Sequence, residues 1–248
     1  MISLKCYSSS SKGNCYLLNA NGNSLLLDLG IFDNELLKEI KTIKGVLITH
    51  QHTDHCKGVR EFKDYYNGKY YSNKETLEKL PIIDDLKVEI NNGQPFYIDN
   101  FAIAPFELVH DVKCYGYLIK DTISNYKLLY ATDTGAINHL KFRDIDCFLI
   151  ESNCDEDELL YEDFKEIRLY ETHLSMQQTS LFLKENVNHN TKHCILCHIS
   201  HNDKDYLRHK KYIENELKRE SVNVIALNPQ LKEPLEIILK EDIDIQFD

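Results

Sequence analysis

The first half of the chain alternates short apolar runs with polar turns. Residues 14–19 and 24–29 are apolar runs on either side of a turn signal at 21–23, which predicts a β-hairpin. Residues 44–49 form a further apolar run that ends at His50. A short apolar run of this kind predicts a buried strand.

The rest of the chain continues the same alternation of strand and helix patterns. Ser175 and Gln178 match a capping box, which predicts that a helix begins there. The other predicted helices cover 55–66 and 203–219. The remaining predicted strands are 101–109, 115–120, 127–131, 146–151, 193–199 and 234–240.

This order of elements predicts the fold class. Strands followed by a helix, and then strands followed by helices, suit two sheets packed face to face with helices outside. The prediction is therefore an α/β protein with a four-layer αββα sandwich. We find no internal repeat, linker or break in composition, so residues 1–248 are predicted to form a single domain.

Composition narrows the setting and the class of ligand. The 248 residues carry a formal net charge of −11, which opposes loose binding to a polyanion and favours a small substrate. No secretory pattern opens the chain and no apolar run of about 18 residues occurs, which predicts a cytoplasmic protein without a membrane partner. Eight cysteines are then expected to be reduced, and Cys194 and Cys197 fit buried thiols better than a zinc site.

The strongest chemical signal follows the strand at 44–49. The sequence LITHQHTDHCKG places four potential metal ligands within six positions, namely His50, His52, Asp54 and His55. Side chains two residues apart on an extended loop can point the same way, so His50 and His52 can bind one ion. Asp54 and His55 can then face a second ion. Imidazole nitrogens and carboxylate oxygens suit zinc, manganese or iron. A polar loop with chance histidines is the plain alternative, and the density of ligands argues against it.

This histidine loop resembles that of the metallo-β-lactamase superfamily. Further positions resemble the later motifs of that family in the same order: Asp28, His110, Asp133 and His198. The resemblance implies that Asp28 supports the histidine loop from behind. It also implies two divalent metal ions, Zn²⁺ or Mn²⁺ by preference. The implied ligands are His50, His52 and His110 for one ion, Asp54, His55 and His198 for the other, and Asp133 between them.

Flanking segments resemble particular branches of the superfamily. Residues 8–18, 131–135, 151–159 and 172–175 are similar to the bacterial WalJ/YycJ-type branch, which is associated with nuclease activity on DNA ends. The chain is also similar to the ribonuclease Z group, in which an extra histidine helps to protonate the leaving oxygen. By position that residue is His173, so the resemblance makes Asp54 and His173 the catalytic candidates. Cys154 and His201 depart from the WalJ/YycJ pattern.

These features predict a metal-dependent phosphodiesterase that hydrolyses nucleotide phosphodiester bonds. The acidic charge favours a small cyclic nucleotide, as in phage proteins that erase the cyclic-nucleotide signals of bacterial defence. The alternative is an exonuclease on single-stranded DNA or RNA ends, which a basic groove beside the metals would favour. Thioester or lactam hydrolysis and a non-catalytic, metal-stabilised binding module remain open as further alternatives. Family members of this size often pair, so a homodimer is expected.

Overall fold

Two seven-stranded sheets form the centre of the protein. The structure, a computed structural model, describes residues 1–158, 164–201, 203–219 and 221–241. The first sheet contains, in chain order, β1 (Ile2–Ser10), β2 (Gly13–Ala20), β3 (Asn23–Leu27), β4 (Ile43–Leu47), β5 (Tyr70–Ser72) and β6 (Lys87–Glu89). The second contains β7 (Phe96–Ile98), β8 (Phe101–Leu108), β9 (Cys114–Asp121), β10 (Lys127–Ala131), β11 (Cys147–Glu151), β12 (His193–Cys197) and β13 (Asn223–Ala226). The final strand, β14 (Leu235–Lys240), returns to the first sheet.

The strand order explains how the two halves join. The first sheet runs β14-β1-β2-β3-β4-β5-β6 and the second β13-β12-β11-β10-β9-β8-β7. β14 pairs with β1 antiparallel, so both ends of the described chain belong to one sheet. Strands β3 to β6 are parallel to one another, and so are β10 to β13. The carboxyl ends of parallel strands meet at one edge, which is where open α/β sheets bind ligands.

Helices cover the outer face of each sheet. On the first sheet they are α1 (Leu36–Glu39), α2 (Thr53–Cys56), α3 (Val59–Phe62) and α4 (Lys74–Lys79). α5 (Phe164–Thr172) lies at the edge of the second sheet beside His110, and α6 (Met176–Asn186) and α7 (Leu207–Leu217) cover the outer face of that sheet. The predicted four-layer αββα sandwich is therefore confirmed. No helix within the described residues has the length and apolar character needed to span a membrane.

Side-chain alternation on the strands builds the layers. In β3, Leu25 and Leu27 point into the core between the sheets, whereas Leu26 packs under the outer helices. In β11, Leu149 faces the central core and Phe148 packs on the other side, towards α6. Because successive side chains on a strand point to opposite faces, a strand covered on both faces is apolar throughout. This explains the continuous apolar runs of the sequence.

The turn and cap predicted from sequence are confirmed. Asn21 and Gly22 have φ of 54° and 84°, as a tight hairpin turn requires, and they join β2 to β3. Ser175 accepts a hydrogen bond from the Gln178 backbone, and the Gln178 side chain accepts one from the Ser175 backbone. This is the capping box that begins α6. In α7, Ile213 and Leu217 are buried.

The predicted helix over 55–66 is wrong as a continuous element. The chain forms α2 and α3 with a turn at Lys57-Gly58 between them. The backbone N–H of Gly58 donates to the carbonyl of Leu29 at 2.8 Å, so it leaves the helical hydrogen-bond ladder. A Cβ on Gly58 would lie 2.4 Å from the carbonyl of Ile31, which shows how closely the two backbones approach. This tertiary contact breaks the helix.

Candidate metal centre

The candidate site residues lie where strands end. Asp28 follows β3, His110 lies just beyond β8, Asp133 follows β10 and His198 follows β12. Three of these residues, Asp28, Asp133 and His198, have φ of 54°, 54° and 48°. Non-glycine residues seldom adopt this left-handed conformation, and such residues concentrate at functional sites. The fold therefore holds three of the candidate site residues in a strained backbone conformation.

Three histidines form the first candidate cluster. His50, His52 and His110 each offer a ring nitrogen, and these atoms all lie within 4.8 Å of one another. The Nε2 of His110 is 3.2 Å from the Nδ1 of His52. The Nε2 of His50 is buried and has no hydrogen-bond partner among the described residues. A buried polar atom without a partner is costly, and a divalent cation bound by the three imidazoles would satisfy it.

A second cluster lies directly beside the first. It consists of Asp54, His55, Asp133 and His198, whose ligand atoms also lie within 4.8 Å of one another. The Oδ2 of Asp54 is 3.4 Å from the Nε2 of His55 and 3.4 Å from that of His198. Two imidazoles and two carboxylates are a donor set that suits zinc or manganese. The residues present thus fit a second divalent ion.

Asp133 lies between the two clusters. Its Oδ1 is 3.2 Å from His55 Nε2 and 3.6 Å from His198 Nε2, both in the second cluster. Its Oδ2 is 3.9 Å from His50 Nε2 and 3.9 Å from His110 Nε2, both in the first. One carboxylate therefore presents one oxygen to each cluster. This is the arrangement that a ligand shared by two ions requires.

Asp28 holds the histidine loop from behind. Its Oδ2 is 2.8 Å from His55 Nδ1 and accepts a hydrogen bond from the Tyr130 hydroxyl at 2.6 Å. Its Oδ1 accepts from the backbone N–H of Thr49 at 2.7 Å. A carboxylate on one ring nitrogen of a histidine fixes the ring orientation and makes the other nitrogen a better ligand. The Nε2 of His55 consequently faces Asp133.

Asp28→Asn is expected to weaken metal binding while the protein still folds. Loss of a supporting carboxylate of this kind typically costs about 10–100-fold in metal affinity. Competition with a coloured zinc chelator measures the change. Asp99→Asn is the matched control, because Asp99 has a similar φ of 52° but precedes β8 at the far end of that strand. Equal affinities in the two variants would contradict the role of Asp28.

Sequence reasoning missed Glu151, the last residue of β11. This carboxylate is fully buried, and its Oε1 lies 2.6 Å from His173 Nδ1 and 3.0 Å from His198 Nδ1. Its Oε2 accepts from the backbone N–H groups of Thr134 and Leu174 at 3.1 and 3.2 Å. Glu151 thus fixes the rings of both histidines. The sequence contained one signal for this role, namely a glutamate at the end of an otherwise apolar strand.

His173 lies beside both clusters. Its ring stacks on that of His198 with centroids 5.2 Å apart, and its Nδ1 is 3.9 Å from Asp133 Oδ2. Burial opposes a charged imidazole at His173, but the Glu151 carboxylate outweighs burial and raises the pKa of the ring. His173, Asp133, Glu151 and His198 also form a third group of possible ligands. His173 is partly exposed, which leaves it accessible to a substrate.

The protonation of each clustered side chain depends on the charges of its neighbours. Burial alone would raise the pKa of Asp133, but the imidazoles of His198 and His55 hold it well below its ordinary value. Burial also opposes a charged ring at His198, yet Asp133 and two further carboxylates raise the pKa of that ring to about 10. Burial, reinforced by the charge of His55, lowers the pKa of His50. The carboxylates are therefore ionised and His50 is neutral, as cation binding requires, whereas His198 must lose a proton before its ring can bind a cation.

Two glycines let the site loops approach closely. A Cβ on Gly30 would lie 1.7 Å from the carbonyl oxygen of Asp54, and one on Gly135 would lie 1.8 Å from that of Glu171. Neither separation is possible for a residue with a side chain. Gly30 therefore allows the Asp28 loop to support the histidine loop, and Gly135 allows the Asp133 loop to pack on the end of α5.

The residues that depart from the WalJ/YycJ pattern, and the paired cysteines, lie outside the two clusters. Cys154 is buried, and its backbone forms an isolated parallel β-bridge with that of Ser175. The Nδ1 of His201 is 3.0 Å from the carbonyl of Pro229. Cys194 and Cys197 are buried free thiols, and neither belongs to a possible metal group in the described part of the chain. Of the similar segment at 151–159, residue 159 lies outside the described residues.

Comparison with known proteins identifies the family. The model of the beta-lactamase superfamily domain matches residues 28–199, which include every candidate ligand. The chain belongs to the beta-lactamase superfamily. The resemblance predicted from the histidine loop is thereby confirmed, and the protein is a member of a hydrolase family with clustered residues able to hold metal ions.

Individual relatives agree with this assignment. Exodeoxyribonuclease YycJ from Bacillus anthracis is 26% identical over 213 residues, which cover 77% of this chain and 80% of the relative. The metallo-beta-lactamase fold protein YhfI from Bacillus subtilis has a TM-score of 0.71 at 17% identity, covering 95% of this chain and 100% of its own. The short form of human tRNase Z has a TM-score of 0.64 at 15% identity, and the match covers 96% of this chain and 100% of the human chain. The two structural similarities concern the fold.

Proposed function

We propose that this superfamily member is a binuclear metal-dependent phosphodiesterase that hydrolyses phosphodiester bonds of nucleotides. The observation that carries the proposal is the position of Asp133, with one carboxylate oxygen towards each cluster. His50, His52 and His110 would hold one ion. Asp54, His55 and His198 would hold the other. Zn²⁺ and Mn²⁺ are the ions that this donor set suits best.

Two such ions, when bound, supply Lewis-acid stabilisation of phosphate oxygens and a nucleophilic water near neutral pH. The side chains divide the remaining work. Burial would raise the pKa of Asp54, but His55 and a hydrogen bond with His198 keep it low, so its partly exposed carboxylate stays ionised and can orient the attacking water. His173 donates a proton to the departing sugar oxygen. Glu151 holds the donating ring in place through its 2.6 Å contact.

The substrate that we propose is the end of a single-stranded nucleic acid. The relative YycJ is named an exodeoxyribonuclease, and it matches 77% of this chain. The candidate site also opens into a groove that includes His52 and Asp54, rather than into a closed cup. A small cyclic nucleotide is the second candidate, because the net charge of −11 opposes extended contact with a polyanion.

A substrate panel tests the proposal. Protein supplied with zinc or manganese is incubated with 5′-phosphorylated single-stranded DNA, the matching RNA, cyclic mononucleotides and a thioester. We expect stepwise shortening of the DNA or RNA. If the enzyme prefers a cyclic mononucleotide, the result would instead support the degradation of a cyclic-nucleotide signal, as in phage counter-defence. Turnover of the thioester alone would reject a phosphodiesterase.

Metal affinity is expected to rise with pH up to about 10, the pKa of the His198 ring. Imidazoles bind metal only when they are neutral, so a cation must displace protons. Carboxylates around His198 raise its pKa to about 10, and those around His55 raise the pKa of that ring well above its ordinary value. Calorimetry in buffers with different ionisation enthalpies would detect the released protons. Binding without proton release would contradict this charge distribution.

Three features of the sequence prediction extend this proposal. We propose that residues 1–248 act as one domain, which the pairing of β14 with β1 supports. We also propose that the enzyme is a homodimer and that it acts in the cytoplasm. Light scattering of the purified protein measures the oligomeric state, and a fluorescent fusion measures the location.

A further inference from the structure

An open groove borders the candidate metal centre. It has a volume of about 410 Å³, within the usual range of about 300–1,000 Å³ for small-ligand sites. Its lining residues are Gln51, His52, Thr53, Asp54, Lys79 and Arg168. His52 belongs to the first cluster and Asp54 to the second, so the groove reaches both. A ligand in the groove would be in contact with the reacting centre.

The groove has one cation from each half of the molecule. Lys79 is the last residue of α4, which follows β5 of the first sheet, and Arg168 belongs to α5, which follows β11 of the second. Lys79 is exposed and has no ion pair within the part of the chain that the structure describes. In a chain with a net charge of −11, two cations at the mouth of a metal site are a local exception. The groove therefore has two cations beside the carboxylate of Asp54.

Asp111 orients Arg168 at the rim of the groove. The Nη2 of Arg168 pairs with Asp111 Oδ2, while the Arg168 side chain remains 59% exposed. The other oxygen of Asp111 lies 3.2 Å from His110 Nε2 and 3.3 Å from His52 Nε2. Asp111 therefore connects the guanidinium to the first cluster. A guanidinium has five N–H donors, so one group can pair with Asp111 while others bind an anion.

We propose that Lys79 and Arg168 bind the phosphate next to the scissile one, and so select a polynucleotide end over a substrate with a single phosphate. This inference rests on the proposed function, in which the scissile phosphate lies at the two clusters. Arginine binds phosphate through its planar fork, and lysine does so as a point charge. A cyclic mononucleotide has no second phosphate and would gain nothing from these cations.

The test compares two substrates in Lys79→Ala, Arg168→Ala and the double variant. We expect each single variant to raise the KM for a short 5′-phosphorylated single-stranded DNA about tenfold, since a charged hydrogen bond is lost. The effect on bis(p-nitrophenyl) phosphate, which has one phosphate, should be much smaller. The salt dependence gives a second measure. The slope of log(kcat/KM) against log salt is negative, and each lost phosphate contact makes it less negative by about 0.7.

Lys41→Ala is the matched control. Lys41 is exposed and precedes β4, at the end of that strand opposite His50. Groove variants with the same KM and salt slope as Lys41→Ala would overturn the subsite. Fluorescence anisotropy with a labelled copy of the same DNA separates this failure from failure of the proposed function. Weaker binding by the groove variants, with no turnover by the wild type, would keep the subsite and reject the phosphodiesterase.

Discussion

Asp133→Asn is expected to lower metal-dependent phosphodiester hydrolysis by about 1,000-fold, since loss of the shared ligand removes several kcal/mol of transition-state stabilisation. Among the residues that the structure describes, Asp133 is the one whose two oxygens face both clusters. Asparagine keeps the shape of the side chain and tolerates the φ of 54° at this position. The initial rate with bis(p-nitrophenyl) phosphate and saturating metal measures the effect.

The control for this variant is Asp144→Asn. Asp144 also has a left-handed φ, of 56°, and it precedes β11, whereas the site lies beyond the other end of that strand. We expect Asp144→Asn to keep wild-type activity. A normal rate in Asp133→Asn, with its metal content intact, would show that the two clusters do not share this ligand during the reaction.

His173→Asn is expected to slow hydrolysis of a natural phosphodiester by about 100- to 10,000-fold, the usual contribution of a positioned general acid. A sugar alkoxide is a poor leaving group and needs the proton, whereas p-nitrophenolate leaves without one. The same variant should therefore retain most of its activity on bis(p-nitrophenyl) phosphate. Glu151→Gln, by contrast, should slow both substrates, because Glu151 lies 2.6 Å from the Nδ1 of His173 and 3.0 Å from that of His198, a candidate metal ligand.

The comparison of leaving groups separates proton donation from damage to the site. His189→Asn serves as the control, because His189 is exposed in the turn before β12. Equal losses on the natural and the activated substrate would mean that His173 acts on the structure or the metals. In that case the proton would have to come from another group.

The candidate site was largely predictable from the sequence because its candidate ligands lie at the ends of strands. His50, His52, Asp54 and His55 fall within six positions, so their spacing alone indicates a metal site. Single residues such as Asp133 carry no such signal. Their role can be inferred from their order along the chain and from the parallel strands, whose carboxyl ends lie at one edge of the sheet.

The supporting residues were harder to predict because their roles depend on tertiary contacts. Asn14 lies 3.2 Å from His55 Nε2, and Ser9 accepts a hydrogen bond from the His198 backbone. Both lie in the segment 8–18 that resembles the WalJ/YycJ-type branch, but the resemblance assigned no role to either residue. The same segment contains the end of β1, whose buried serines hide the apolar pattern of a strand. Glu151 and Asp111 likewise gain His173, His52 and Arg168 as partners only when distant parts of the chain meet.

The central claim is that two divalent ions at this centre hydrolyse phosphodiesters, and a metal titration tests it most directly. Protein stripped of metal with a chelator is titrated with zinc or manganese while turnover of bis(p-nitrophenyl) phosphate is recorded. We predict activity that rises with added metal and reaches its plateau at about two equivalents for each chain. A metal-loaded protein that turns over no phosphodiester would contradict the proposal and leave thioester hydrolysis or a binding role as the better account.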